Sequence, residues 1–178
     1  SMQLWYGRIE TFDGVHDLAL RYGIKPKLVF IDAQYDTDQV YAACARMDWT
    51  ALHGSGQKSF PFKKQNGDII HRAFTRFSDA AATGVGRARY AHWASDRIKD
   101  IVFAHRTGKA AAWDIPDDVS QDWMKQIDSE VKREMVNAKT KQAEYRWVRI
   151  RNNNHAFDVE AMQVVAALML KVIPGFDV

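Results

Sequence analysis

Lys27-Leu28-Val29-Phe30-Ile31-Asp32 is an apolar run bounded by a cation and a carboxylate. A run this short, rich in β-branched and aromatic side chains, reads as a buried strand that delivers Asp32 at its C-terminal end. Downstream, Ala33-Gln34-Tyr35-Asp36-Thr37-Asp38-Gln39-Val40-Tyr41 opens a helix capped at Thr37 or Asp38 and running through Arg46, with Val40, Tyr41 and Cys44 on one face. Trp49 to Leu52 gives a further short strand. Upstream, Leu4 to Phe12 alternates apolar and polar residues as a strand would, and Asp13-Gly14 follows as its exit turn. Val15, Leu18, Ala19 and Tyr22 then repeat at helical spacing, and Gly23 supplies the stop before Lys25-Pro26. Strand, helix, strand, helix, strand predicts an α/β sheet with crossover connections.

Bulk composition agrees with one compact α/β domain spanning 1–178. The chain has 178 residues, 47% hydrophobic and 12% aromatic, enough to bury a sizeable core and too apolar for disorder. Its 25 Lys and Arg against 22 Asp and Glu leave a net charge of +3, so any nucleic-acid affinity must come from local basic patches. The single cysteine, Cys44, excludes an intramolecular disulfide and a cysteine-based zinc site, and the chain reads as intracellular. No stretch approaches the roughly 20 apolar residues of a membrane span, and no signal peptide is visible. Ser1-Met2 reads as an appended pair, so the natural chain is expected to continue upstream.

From His53 to Ala91 the periodicity fades into Gly, Ser, Lys, Arg and Phe, as in Gly54-Ser55-Gly56-Gln57-Lys58-Ser59-Phe60-Pro61-Phe62-Lys63-Lys64, and a loop-rich basic insertion is expected. Lys99 to His105 is apolar enough for a strand. Trp113-Asp114-Ile115-Pro116 leads to Ser120, an N-cap for a helix of about five turns burying Trp123, Ile127, Val131 and Met135. Tyr145 to Ile150 alternates again. Asp158 to Val172 is apolar almost all round and predicts a helix buried against the sheet.

The second acid of interest, Asp158, closes Asn152-Asn153-Asn154-His155-Ala156-Phe157-Asp158 ahead of Val159-Glu160-Ala161-Met162. Two separated acids at element ends suggest a metal site, because hard divalent cations take oxygen ligands and phosphodiester hydrolysis needs carboxylates converging on one point. Each acid also has a plainer reading. A carboxylate after a strand often caps the next helix, and one at a helix start is favoured by the helix dipole.

Taken in order and spacing, these segments resemble the nuclease domain of tailed-bacteriophage DNA-packaging terminase large subunits. The resemblance extends through Trp113-Asp114-Ile115-Pro116 to Glu130, where the phage proteins run from a proline-ended strand into an amphipathic helix ending in an acid. It implies an RNase H-like mixed sheet flanked by helices, in which Asp32 and Asp158 bind Mg2+ or Mn2+ and catalyse cleavage of double-stranded DNA. It also implies an acid on a leading strand. The Trp5 to Asp13 segment is more similar to a later strand, so the first strands are expected to be missing and strand edges exposed. The alternative is that Glu10 or Asp13 supplies the third ligand.

Lys58, Lys63, Lys64, Arg72 and Arg76, followed by Arg87 and Arg89, alternate with Phe60, Phe62, Phe74 and Phe77. Cations can track a phosphate backbone while aromatics hold the loop or touch bases, and the plainer reading is a solvated surface loop with a small satellite core. His155 either positions water at the metal or caps the last helix. Cys44 reads as a small core residue. Gly84-Val85-Gly86 lacks a preceding strand and a further glycine, so it is no nucleotide fingerprint. No Walker motif occurs, which places any ATPase motor outside this chain.

The expected function is therefore a metal-dependent endonuclease cutting concatemeric DNA in the host cytoplasm, with an ATPase motor domain, a small terminase subunit and a portal as partners. A different RNase H-like nuclease, resolvase or integrase-like, is one alternative. A non-catalytic DNA-binding or assembly module is the other.

Overall fold

The computed structural model describes residues 6–82, 84, 86–110, 114–138 and 140–173. It is an α/β structure with a mixed sheet flanked by helices. Two compact units divide it: one holds Gly7–Arg97 and the chain from Val165 on, and the other holds Tyr6 with Ile98–Val164.

The first unit opens with helix α1 (Phe12–Arg21). Thr11 caps it by accepting from the Gly14 amide at 3.1 Å, and Gly23 ends it at φ +63°, where the Ile24 amide returns to the Ala19 carbonyl at 2.8 Å. The strand expected over Leu4 to Phe12 is not formed in its described part: residues 6–10 have no regular structure, and Asp13 lies in the first turn of α1 instead of a strand exit. The Thr11 cap claims Phe12 for the helix.

Strand β1 (Phe30–Asp32) ends at Asp32 as expected and pairs parallel with β2 (Thr50–Ser55). Between them lies helix α2 (Thr37–Met47), which buries Val40 and Cys44. Its cap is Asp36, accepting from the Gln39 amide, and not Thr37 or Asp38; the Thr37 hydroxyl instead donates back to the Ala33 carbonyl at 2.7 Å.

The expected loop-rich insertion is largely strand. Strands β3 (Phe60–Lys63) and β4 (Ile69–Arg72) form an antiparallel hairpin, while β5 (Ser78–Ala82) and β6 (Gly86–Ala94) join β1 and β2 in a sheet of order β1-β2-β6-β5. β6 runs parallel to β2 and antiparallel to β5. The buried positions of β5 and β6 are mostly alanine: Ala82, Ala88, Ala91 and Ala94. They pack closely but contribute little apolar area each, so the alternation is weak in sequence. Ala19, Val40, Cys44, Trp49, Ala51, Ala82 and Ala88 make one core beneath α1 and α2.

In the second unit, the strand expected over Lys99 to His105 is instead helix α3 (Ser95–Arg106), which begins in the first unit. Ile98, Ile101 and Val102 are buried at helical spacing. Ser120 caps α4 (Gln121–Ile127) as expected, accepting from the Trp123 amide at 3.1 Å. That helix ends after two turns. Val131 and Met135 belong to β7 (Glu130–Val136), paired antiparallel with β8 (Ala143–Arg149), so Glu130 opens a strand and does not close a helix. A spacing of four residues suits both periods, and the pairing with β8 decides for the strand. Trp123, Ile127 and Ala156 form the local core. Trp113 lies outside the described residues. Helix α5 (His155–Met169) forms where the last helix is expected but starts at His155 and ends before Val172, burying Phe157, Ala161, Met162, Val165 and Leu168 and exposing Val159.

Candidate functional site

Asp32 stands exposed at the carboxyl end of β1, with one carboxylate oxygen accepting from the Gln34 amide at 3.1 Å. The parallel register aligns it with Leu52, and His53, the next residue of β2, sits opposite His92 on β6. Ligands in open α/β sheets gather beyond the carboxyl ends of parallel strands, and three such ends meet here. The Gln34 side-chain amide donates to the Gly54 carbonyl at 3.1 Å, closing the β1–α2 turn onto β2. A Cβ at Gly54 would stand 2.9 Å from both Gln34 Oε1 and Ser95 Oγ.

Next to Asp32 lies an aromatic group that sequence reading misses: Tyr41, His53, Tyr90 and His92. The two imidazole centroids are 5.2 Å apart, Tyr41 stacks on Tyr90 at 5.9 Å, and Tyr41 Oη shares a hydrogen bond with His53 Nε2. Burial holds the His53 pKa below its ordinary value, His92 adds to the depression, and Asp32 opposes it. Burial likewise raises the Tyr41 hydroxyl. Its only trace in sequence is the alternation Tyr90-Ala91-His92, which cannot show that β2 brings His53 alongside.

Asp158 belongs to the other unit, in the first turn of α5. Asn154 Nδ2 donates to its Oδ2 at 2.6 Å and to Glu130 Oε1 at 3.0 Å, tying the two acids together. Lys99 Nζ lies 2.8 and 2.7 Å from the two Glu130 oxygens and 3.4 Å from Asp158 Oδ1. Lys99, Glu130 and Asn154 are buried, at 9%, 8% and 4% exposure, whereas the Asp158 side chain is 33% exposed. Sequence reading finds both acids but not their link through Lys99. His155 is exposed at the start of α5.

The two alternatives for a third acid are both exposed and paired with arginine. Glu10 meets Arg8 at 2.8 Å, and Asp13 meets Arg46 at 3.4 Å. Among the described residues no group of three or more His, Cys, Asp or Glu side chains is gathered closely enough to hold a metal. The donor chemistry of Asp32 and Asp158 nonetheless suits a hard divalent cation, since each offers a solvent-accessible carboxylate.

The basic series divides by structure. Arg72 and Arg76 place their guanidinium groups 3.7 and 4.2 Å from the centroid of the Phe62 ring, and Arg76 also donates to the Lys63 carbonyl at 2.9 Å. Lys58, Lys63 and Lys64 are exposed on or beside the same hairpin. Arg89, by contrast, bonds Thr50 Oγ1 and the Lys27 carbonyl across the sheet, and Arg87 bonds the Asp79 carbonyl. Arg87 and Arg89 therefore hold strands together.

A sequence profile of the family described as "Terminase large subunit gpA, endonuclease domain" matches residues 14–174, a span that contains Asp32, Glu130 and Asp158 together. The chain belongs to this family. No curated protein and no solved structure matches it. Membership of this family points to a nuclease role in DNA packaging. Among its described residues no helix is long and apolar enough to cross a membrane.

Proposed function

We propose that this terminase domain is a Mg2+- or Mn2+-dependent endonuclease of RNase H-like fold that cuts concatemeric double-stranded DNA during viral genome packaging in the host cytoplasm. The observation that carries the reading is the family match over 14–174, which spans two acids at element ends, Asp32 closing a parallel strand and Asp158 opening the last helix. The ATPase motor, small terminase subunit and portal are the partners such a domain would serve.

Asp32 and Asp158 would hold the metals. Bound divalent cations supply an activated water at neutral pH and charge stabilisation for the leaving oxygen. The chain contributes orientation: the Gln34 amide fixes the Asp32 carboxylate, and Asn154 fixes that of Asp158. Exposed Lys58, Lys63 and Lys64, with Arg72 and Arg76, would hold the DNA backbone.

Plasmid and linear duplex incubated with Mn2+ or Mg2+ test this. Cleavage is expected from the wild type and is expected to vanish in Asp32→Asn and in Asp158→Asn with circular dichroism unchanged. Undiminished cutting by both variants would show that the catalytic acids lie elsewhere. DNA binding with no cutting at any metal concentration would make the domain a binding module, and a preference for branched over linear DNA would make it a resolvase-like enzyme.

A further inference from the structure

The Asp158 site already contains a cation. Lys99 reaches it from α3, anchored by both oxygens of Glu130 at 2.7 and 2.8 Å, while its 3.4 Å separation from Asp158 Oδ1 is an ion pair longer than a strong hydrogen bond. The asymmetry gives the two acids different tasks. Glu130, at 8% exposure, is closed off by Lys99 and Asn154. Asp158 has one oxygen fixed by Asn154 and the other facing the ammonium, with a third of its side chain open to solvent.

We propose that Lys99, held by Glu130, is a built-in counter-cation that competes with a divalent metal for the Asp158 carboxylate and sets its metal affinity low. This inference rests on the reading of Asp158 as a metal ligand. The physical ground is that an ammonium a few ångströms from Oδ1 repels an arriving dication, and burial of Lys99 weakens solvent screening of that repulsion. Lys99 and Asn154 also hold the two neighbouring carboxylates in place, so that Asp158 is ready to exchange one cation for another without rebuilding its surroundings. Glu130 is then a positioning residue acting through Lys99, and the Lys99–Glu130 pairing persists while the longer Asp158 interaction gives way.

Mn2+ affinity of the folded chain, measured by titration calorimetry without DNA, tests the proposal through the paired substitution Lys99→Met with Glu130→Gln. The pair removes one charge of each sign, so the net charge of the chain is kept while the ammonium facing Asp158 Oδ1 is lost. Mn2+ should bind roughly ten-fold more tightly than to the wild type. Equal or weaker binding would overturn the competition. A second measurement needs no variant: in the wild-type protein, Mg2+ titration should shift the NMR signal of the Lys99 ζ-ammonium together with that of the Asp158 carboxylate. A carboxylate that moves while the ammonium stays still would also overturn the proposal. Asp158→Asn separates the levels. If it binds Mn2+ as well as the wild type does, the metal-ligand reading of Asp158 itself fails; if it loses binding while the paired variant matches the wild type, only the role of Lys99 fails.

Discussion

Tyr41 and His53, on α2 and β2, share a 2.9 Å hydrogen bond that fixes the imidazole against His92. Because burial and His92 hold the His53 pKa below its ordinary 6.5, the folded chain binds fewer protons there than the unfolded chain between the two values. The stabilising contribution is complete above about pH 6.5 and is lost as the pH falls through that window. Thermal unfolding from pH 7.5 down to 5 should show a falling midpoint, and His53→Gln should flatten part of that fall. An identical pH slope in the variant would assign the effect to other groups.

Cys44 is 1% exposed, and burial pushes its thiol pKa up to about 12. Both features suppress the thiolate, the reactive form. Iodoacetamide at pH 8 should leave the folded chain unmodified for hours and label it fully in urea, with mass spectrometry as the readout. Rapid labelling under native conditions would contradict the buried position.

Arg72 and Arg76 both place their guanidinium groups against the ring of Phe62, a β3 residue of the β3–β4 hairpin. If they and Lys63 and Lys64 meet phosphates, the slope of log affinity against log salt for a DNA duplex should fall in magnitude by about 0.9 for each phosphate that is no longer neutralised. Replacing all four with glutamine, read by fluorescence anisotropy, should therefore flatten it by roughly 2 to 4 units. An unchanged slope would leave the hairpin as a solvated element.

Ile127 is completely buried between Trp123 and Ala156. Ile127→Ala removes packed methylene groups and leaves a cavity, at a cost of about 2–5 kcal/mol. Urea denaturation should show the midpoint drop. A destabilisation below about 0.5 kcal/mol would mean the surroundings collapse onto the smaller side chain.

Much of the architecture is legible where apolar residues are large. Val29 to Ile31 announces β1, although Lys27 and Leu28, read as part of the strand, lie in a short 3-10 helix (Pro26–Leu28), and Val40 with Cys44 announces the inner face of α2. Where burial is achieved with alanine, as at Ala82, Ala88 and Ala91, the strands read as loop. Lys99 marks a different failure: a lysine inside an apolar run gives no hint that its partner is Glu130, 31 residues away. Asp158 is legible from its place before a helix. His53 and His92 are not, since their proximity exists only once β2 and β6 are in register.

The parallel pairing of β2 with β6 also has a kinetic side. Thr50 and Arg89, joined across it, are 39 residues apart, and the intervening chain contains the β3–β4 hairpin and the β5 partner of β6. Local antiparallel pairs of this kind close on the order of microseconds, and each one formed shortens the loop that the central pairing must still close. The hairpins are therefore expected to form before the middle of the sheet. Until β6 docks, β2 lacks one of its two neighbours, and this interval is when a nascent chain at high concentration is most prone to pair with another molecule instead of with itself.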